Sequence, residues 1–274
     1  MNAICVTCGT QFADTAQYPD HCPICEDERQ YVGLDGQRWT TLEDLRKDHR
    51  VKVQEEEPGL LSFSVEPHFG IGQRAFLIRN AAGNVLWDCI SLLDNTAIES
   101  IRDLGGLSAI CISHPHYYSA MVDWSRAFGN VPIHLHEDDA GWVMRPDDAI
   151  HFWDGEIETL PGGLTLIRCG GHFEGAAVLH WPEGADGKGA LLSGDTIQVV
   201  PDRRFVSFMY SYPAYIPLNA PAIERITRAV EPFAFDRIYG AFRKLTIESK
   251  GKASIRRSAD RYLRAISAAV HASA

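Results

Sequence analysis

The chain has 274 residues, 45% of them hydrophobic, an ordinary make-up for a globular protein with a sizeable core. Its formal net charge of −10 argues against the whole molecule as a nucleic-acid binder. No stretch approaches the roughly 20 apolar residues that cross a bilayer. The start, Met1-Asn2-Ala3-Ile4-Cys5, lacks a basic-then-apolar leader, so the expectation is a cytoplasmic protein without membrane association.

The first segment, residues 1–33, reads as a separate unit. Cys5-Val6-Thr7-Cys8 and Cys22-Pro23-Ile24-Cys25 are two C-x-x-C knuckles with thirteen residues between them. Each knuckle sets two thiolates on one turn, and two such turns supply the four sulfurs of a tetrahedral metal site. The spacing points to a structural zinc ribbon, with a rubredoxin-type iron centre as the rival. Zinc would supply much of the unit's folding energy, on the order of 10 kcal/mol. With all four positions filled by sulfur, no catalysis is expected there, and the ribbon is a candidate surface for a protein partner. Cys89, Cys111 and Cys169 lie in or beside apolar runs and read as buried thiols.

Residues 34–58 read as a connector, with a short helix at Thr41–Lys47 and a charged run from Lys52 to Glu57. The main domain is expected over 59–274. Period-2 and short apolar runs predict strands at Leu60–Val65, Arg74–Arg79, Val85–Ile90, Leu107–Ile112 and Val131–Leu135. Further strands are expected at Gly155–Leu160, Gly163–Arg168, Ala176–Trp181, Gly189–Ser193 and Arg237–Tyr239. Helical spacing predicts helices at Asn95–Leu104, Ser119–Phe128, Pro221–Val230 and Ala253–Val270. The last carries Arg256, Arg257, Arg261 and Arg264 on what reads as a solvated face. This mixture predicts layered α/β or α+β packing.

Three motifs place metal-binding side chains at strand exits. Ile112-Ser113-His114-Pro115-His116 follows one apolar run, Cys169-Gly170-Gly171-His172 follows another, and Ser193-Gly194-Asp195 follows a third. Imidazole and carboxylate are ligands for zinc or iron. His134 and His136 alternate on one strand and form a weaker candidate pair, and His68 sits in a glycine-containing loop.

With His114, His116, His172 and Asp195 in this order, and with Leu86-Trp87-Asp88 upstream, residues 59 to 270 resemble the metallo-β-lactamase-fold hydrolases. The resemblance implies a four-layer αββα sandwich with the metal site at one edge of the two sheets. It assigns His114, His116 and His172 as ligands and Asp195 as an acid at the metal. Tyr118 stands where the family has Asp, Ser119 where it has the second-site His, and Arg237–Arg243 contains no His. The implied centre therefore holds a single metal.

One zinc ion on three neutral imidazoles keeps an open position, activates water and polarises a carbonyl. This points to hydrolysis of a small-molecule ester, thioester, lactone or amide. Asp195 is the candidate base or ligand, and Tyr118 a candidate oxyanion donor. Arg203, Arg204 and Tyr210, in the aromatic segment after Asp195, are candidate substrate-binding residues. The competing readings are a mononuclear iron oxidoreductase and a non-catalytic, metal-stabilised interaction protein.

Overall fold

A computed structural model of the protein describes residues 1–267. Two sheets stack face to face with helices on both outer sides. The first sheet has seven strands in the order Ile150–Trp153, Ile133–His136, Ala109–Cys111, Val85–Trp87, Ala75–Ile78, Leu60–Glu66, Arg50–Glu57. The second has six, in the order Ile157–Thr159, Thr165–Arg168, Ala177–Trp181, Ala190–Leu192, Arg237–Tyr239, Thr246–Ile247.

Side-chain alternation sorts the residues into layers. Phe76, Trp87, Leu166, Leu179 and Leu192 face inward and form the core between the sheets. Their neighbours Leu77, Leu86 and Ile110 pack outward against helices Asn95–Arg102 and Met121–Ala127, through Ala97, Ile101, Val122 and Trp124. On the opposite side Ile167, Val178, Leu191 and Ile238 pack against helices Ala220–Val230 and Gly251–Ser267, through Ile223, Ile226, Val230 and Ile255. Both faces of each central strand are covered, which is why those strands read as unbroken apolar runs. The result is the expected αββα sandwich.

Some boundaries differ from expectation. The strand predicted to Ile90 ends at Trp87, because Asp88 turns the chain with φ 59°. The helix predicted from Ser119 starts at Met121, after a short 3-10 turn at Pro115–Tyr117. Residues 268–270 of the predicted last helix lie outside the described residues.

The charged run placed in the connector is strand Arg50–Glu57, the edge of the first sheet, paired with Leu60–Glu66 along its length. Charges suit an edge, and here they also find partners. Glu56 pairs at 2.9 Å with Arg74, which is only 1% exposed and donates to the Gly240 carbonyl just past the second-sheet strand Arg237–Tyr239. Glu57 accepts from the Ala185 amide and pairs with Arg237. The sheet therefore begins at Arg50 rather than after residue 58. Strand Ile150–Trp153, also unforeseen, pairs in parallel with Ile133–His136.

The N-terminal unit is a three-stranded antiparallel sheet, with Asn2–Cys5 between Gln11–Asp14 and Trp39–Thr40. Its core is mostly the four cysteines with Ala3, Phe12 and Ile24. It docks on the main domain: the Gln11 amide donates to the Ser119 carbonyl, and Ser91 Oγ donates to the Gly9 carbonyl. No described helix is long and apolar enough to cross a membrane.

Candidate metal centres

His114, His116, His172 and Asp195 converge, with one ligating atom from each inside a mutual distance of 4.8 Å. All four are buried. His114 follows the strand Ala109–Cys111 in extended backbone, and Pro115 then starts the 3-10 turn that folds His116 back beside it. His172 closes a turn in which Gly171 has φ +85°, and a Cβ there would lie 3.0 Å from Leu218 Cδ1. Asp195 follows Gly194, with φ +51°, where a Cβ would lie 2.7 Å from Ser113 Oγ. Glycine at that position lets two strand exits touch.

The three imidazole rings form a nearly equilateral triangle, with centroid separations of 5.3, 4.9 and 5.1 Å. His172 Nδ1 donates to the Tyr210 carbonyl at 2.9 Å. That bond fixes the tautomer and leaves Nε2 as a lone-pair donor, which faces His116 Nδ1 at 3.3 Å. His114 Nδ1 meets Ser113 Oγ at 2.8 Å, and its Nε2 lies 3.9 Å from Asp195 Oδ2. His114 Nε2, His116 Nε2 and Asp195 Oδ1 are buried with no hydrogen-bond partner among the described residues. Burial pushes His114 and His116 well below the usual histidine range, and His172 down to about 4. The imidazoles are therefore neutral, the form that binds metal. Burial pushes Asp195 up to about 7, and Asp88 likewise. Asp88 Oδ1 accepts from the Ser113 amide at 2.8 Å and so braces the His114 turn. Neutral nitrogens and carboxylate oxygen, desolvated and partly without partners, are a donor set that could hold a metal ion.

The phenol expected at this centre is displaced by one residue. Tyr118 points away, its hydroxyl donating to the Asp139 carbonyl at 3.3 Å. Tyr117 packs against His114 with ring centroids 4.3 Å apart and the rings tilted by 56°, and its buried hydroxyl has no hydrogen-bond partner among the described residues. The 3-10 turn sets which of the two side chains faces inward. Arg203 and Arg204 also lie elsewhere. Gln198–Val199 pairs with Val206–Ser207 and carries the arginines to the hairpin tip, beside a separate cleft with Lys250 and Arg257. Arg204 is tied there to Asp202 at 2.8 Å. Tyr210 contributes its carbonyl to His172, while its hydroxyl donates to Glu28. From the same segment it is Tyr212 that lines the cavity, its hydroxyl donating to the Asp195 carbonyl. In the weaker His134/His136 pair, His136 is committed, accepting from the Asp138 amide and bonding the Gly155 carbonyl.

His116, His172 and Asp195 floor a cavity of about 260 Å³. His68, Gln198 and Tyr212 line it from the main domain, and Thr7, Arg29, Gln30 and Tyr31 wall it from the cysteine module. Arg29 stacks at 3.9 Å over Phe173, ion-pairs with Asp27 at 2.6 Å and donates to the His172 carbonyl at 3.3 Å. No sequence pattern marks Arg29 or Tyr31 as site residues, because their placement depends on how the module docks.

In the module the four sulfurs are buried and converge. Cys5 and Cys25 Sγ are 3.5 Å apart, and Cys8 and Cys22 Sγ 3.7 Å. A disulfide needs about 2.05 Å, whereas the edges of a tetrahedron with bonds of about 2.3 Å are about 3.8 Å long. The observed spacing is that of four thiolates around one tetrahedral metal and is consistent with a zinc ribbon.

No family model matches the chain. It is 52% identical over 265 residues to "Uncharacterized protein YmaE" of Bacillus subtilis (strain 168), an alignment covering 96% of each chain. Among solved structures it is similar to the DIM-1 metallo-β-lactamase, with TM-score 0.60, 13% identity, and coverage of 80% of this chain and 99% of that one. It is also similar to the mono-zinc form of FIM-1 from Pseudomonas aeruginosa, with TM-score 0.56, 16% identity, and coverage of 79% and 98%. At these identities the likeness establishes the fold. The chain belongs to one family with YmaE, and it is a metallo-β-lactamase-fold protein carrying an N-terminal module of zinc-ribbon type.

Proposed function

We propose that the protein is a metal-dependent hydrolase with one catalytic metal on His114, His116 and His172, and with structural zinc on Cys5, Cys8, Cys22 and Cys25. The observation that carries this reading is the convergence of three neutral imidazoles and Asp195, with buried unpartnered atoms among them, at the floor of a cavity. A metal bound there supplies Lewis acidity toward a carbonyl and lowers the pKa of a coordinated water toward 7.

The single-metal reading is supported by the fate of the second-site positions. Tyr118 is tied to the Asp139 carbonyl, and Ser119 Oγ accepts from Gln73. Asp195 either completes the ligand shell or takes a proton from the nucleophile, through the oxygen that has no other partner. The buried Tyr117 hydroxyl lies beside that carboxylate with no other partner among the described residues, and Tyr212 holds the backbone behind it. Gln30, Tyr31 and Gln198 offer polar groups to orient a substrate. A cavity of about 260 Å³ lies just below the usual range for small-molecule sites, which favours a small ester, thioester, lactone or amide. β-Lactam cleavage does not follow from the fold. The module's part in this reading is to wall the site and, through Arg29, to buttress His172.

The test is a hydrolysis screen over these acyl classes with wild-type protein and His116→Ala. Turnover that the substitution abolishes supports the reading. Turnover that survives it contradicts the site. Oxygen consumption dependent on ferrous iron, without hydrolysis, would install the oxidoreductase reading instead.

A further inference from the structure

A second group of metal-binding side chains lies apart from both centres. In the first sheet, register pairing runs Phe76, Trp87, Cys111, His134, His151 in one row across five strands. Paired residues share a face, and Phe76, Trp87 and Cys111 belong to the core between the sheets. The row therefore starts apolar in the interior and ends in two histidines at the sheet edge. Glu158 meets them from the edge strand of the second sheet, where its register partner Leu166 also faces the inter-sheet core.

His134 Nδ1 is 3.1 Å from Glu158 Oε1, and His151 Nε2 is 3.9 Å from the same oxygen. The His134 and His151 rings are 5.2 Å apart, and one ligating atom from each of the three residues lies within 4.8 Å of the others. A tetrahedron with zinc–nitrogen bonds of about 2.05 Å has edges of about 3.3 Å, between the two measured separations. The other carboxylate oxygen, Oε2 of Glu158, is buried with no hydrogen-bond partner among the described residues. Burial lowers the pKa of His134, which favours the neutral, ligating imidazole.

We propose that His134, His151 and Glu158 form an exchangeable site for a divalent transition metal such as zinc, clipping the edges of the two sheets together. Two imidazoles and a carboxylate suit zinc, nickel and copper over magnesium or calcium. Three protein ligands leave the remaining positions to water, so this site loads and empties with free metal, unlike the closed four-sulfur centre. The proposal does not depend on the hydrolase reading.

The experiment is calorimetric titration of the purified protein with Zn2+, comparing wild type with His151→Ala and Glu158→Gln. His151 is largely exposed and Glu158→Gln keeps its shape, so both variants are expected to fold with unchanged melting temperature in chelator. The expected result is one fewer zinc equivalent at saturation in each variant, with a zinc-dependent rise in melting temperature seen in wild type and reduced in both. If either variant binds as many equivalents as wild type, the proposal is overturned.

Discussion

Burial that keeps His114, His116 and His172 neutral also strips away the water that would satisfy their nitrogens, so the same desolvation suits them to the ligand role proposed for them. These residues and Asp195 were legible in the sequence because each sits within a few residues of a strand exit, where local pattern fixes position. Tyr117 was not, since choosing between adjacent tyrosines needs the pitch of one 3-10 turn. The pair gives a direct comparison. Tyr117→Phe is expected to lower kcat/KM about tenfold, some 1.4 kcal/mol, while Tyr118→Phe stays within about twofold; steady-state kinetics on the two variants checks this. Asp139 offers a pH test outside the ligand set. Burial pushes its carboxyl up to about 7 from a reference of 3.8, partly offset by the Gly175 amide, which donates to it at 2.9 Å. Between those values the folded state holds a proton that the unfolded state has lost, so this group makes stability fall as pH rises from about 4 to about 7. Asp139→Asn removes the titration, and denaturant midpoints across that window should fall less steeply than in wild type.

Among the elements, the strand exits carry the chemistry and glycine lets them meet. Gly194 touches the Ser113 turn that orients His114. Gly194→Ala adds a Cβ at 2.7 Å from Ser113 Oγ and places alanine at φ +51°, which is expected to cost about 1–3 kcal/mol as read by chemical denaturation. The central strands were legible because burial on both faces leaves an unbroken apolar signature. The edge strand Arg50–Glu57 was not, because its charges are satisfied by Arg74 and Arg237, residues distant in sequence. Arg203 and Arg204 were misplaced for a related reason: the pairing of Gln198–Val199 with Val206–Ser207 swings the hairpin tip away from Asp195.

Across the whole molecule, a module that resembles an independent ribbon in sequence becomes part of the candidate active site. Arg29 joins the two, lying over Phe173 and bonding the His172 carbonyl. Arg29→Ala is expected to reduce kcat/KM by about tenfold to hundredfold through misplacement of His172, while zinc in the four-sulfur centre is retained; kinetics and zinc content on the same preparation check both halves. On the proposed reading the chain holds two separate resident metal centres. Elemental analysis of protein purified without added metal, wild type beside His116→Ala, is the decisive test. Two metal equivalents per chain falling to one in the variant, with zinc as the equivalent that remains, is the result predicted. The same metal content in both proteins would contradict the account.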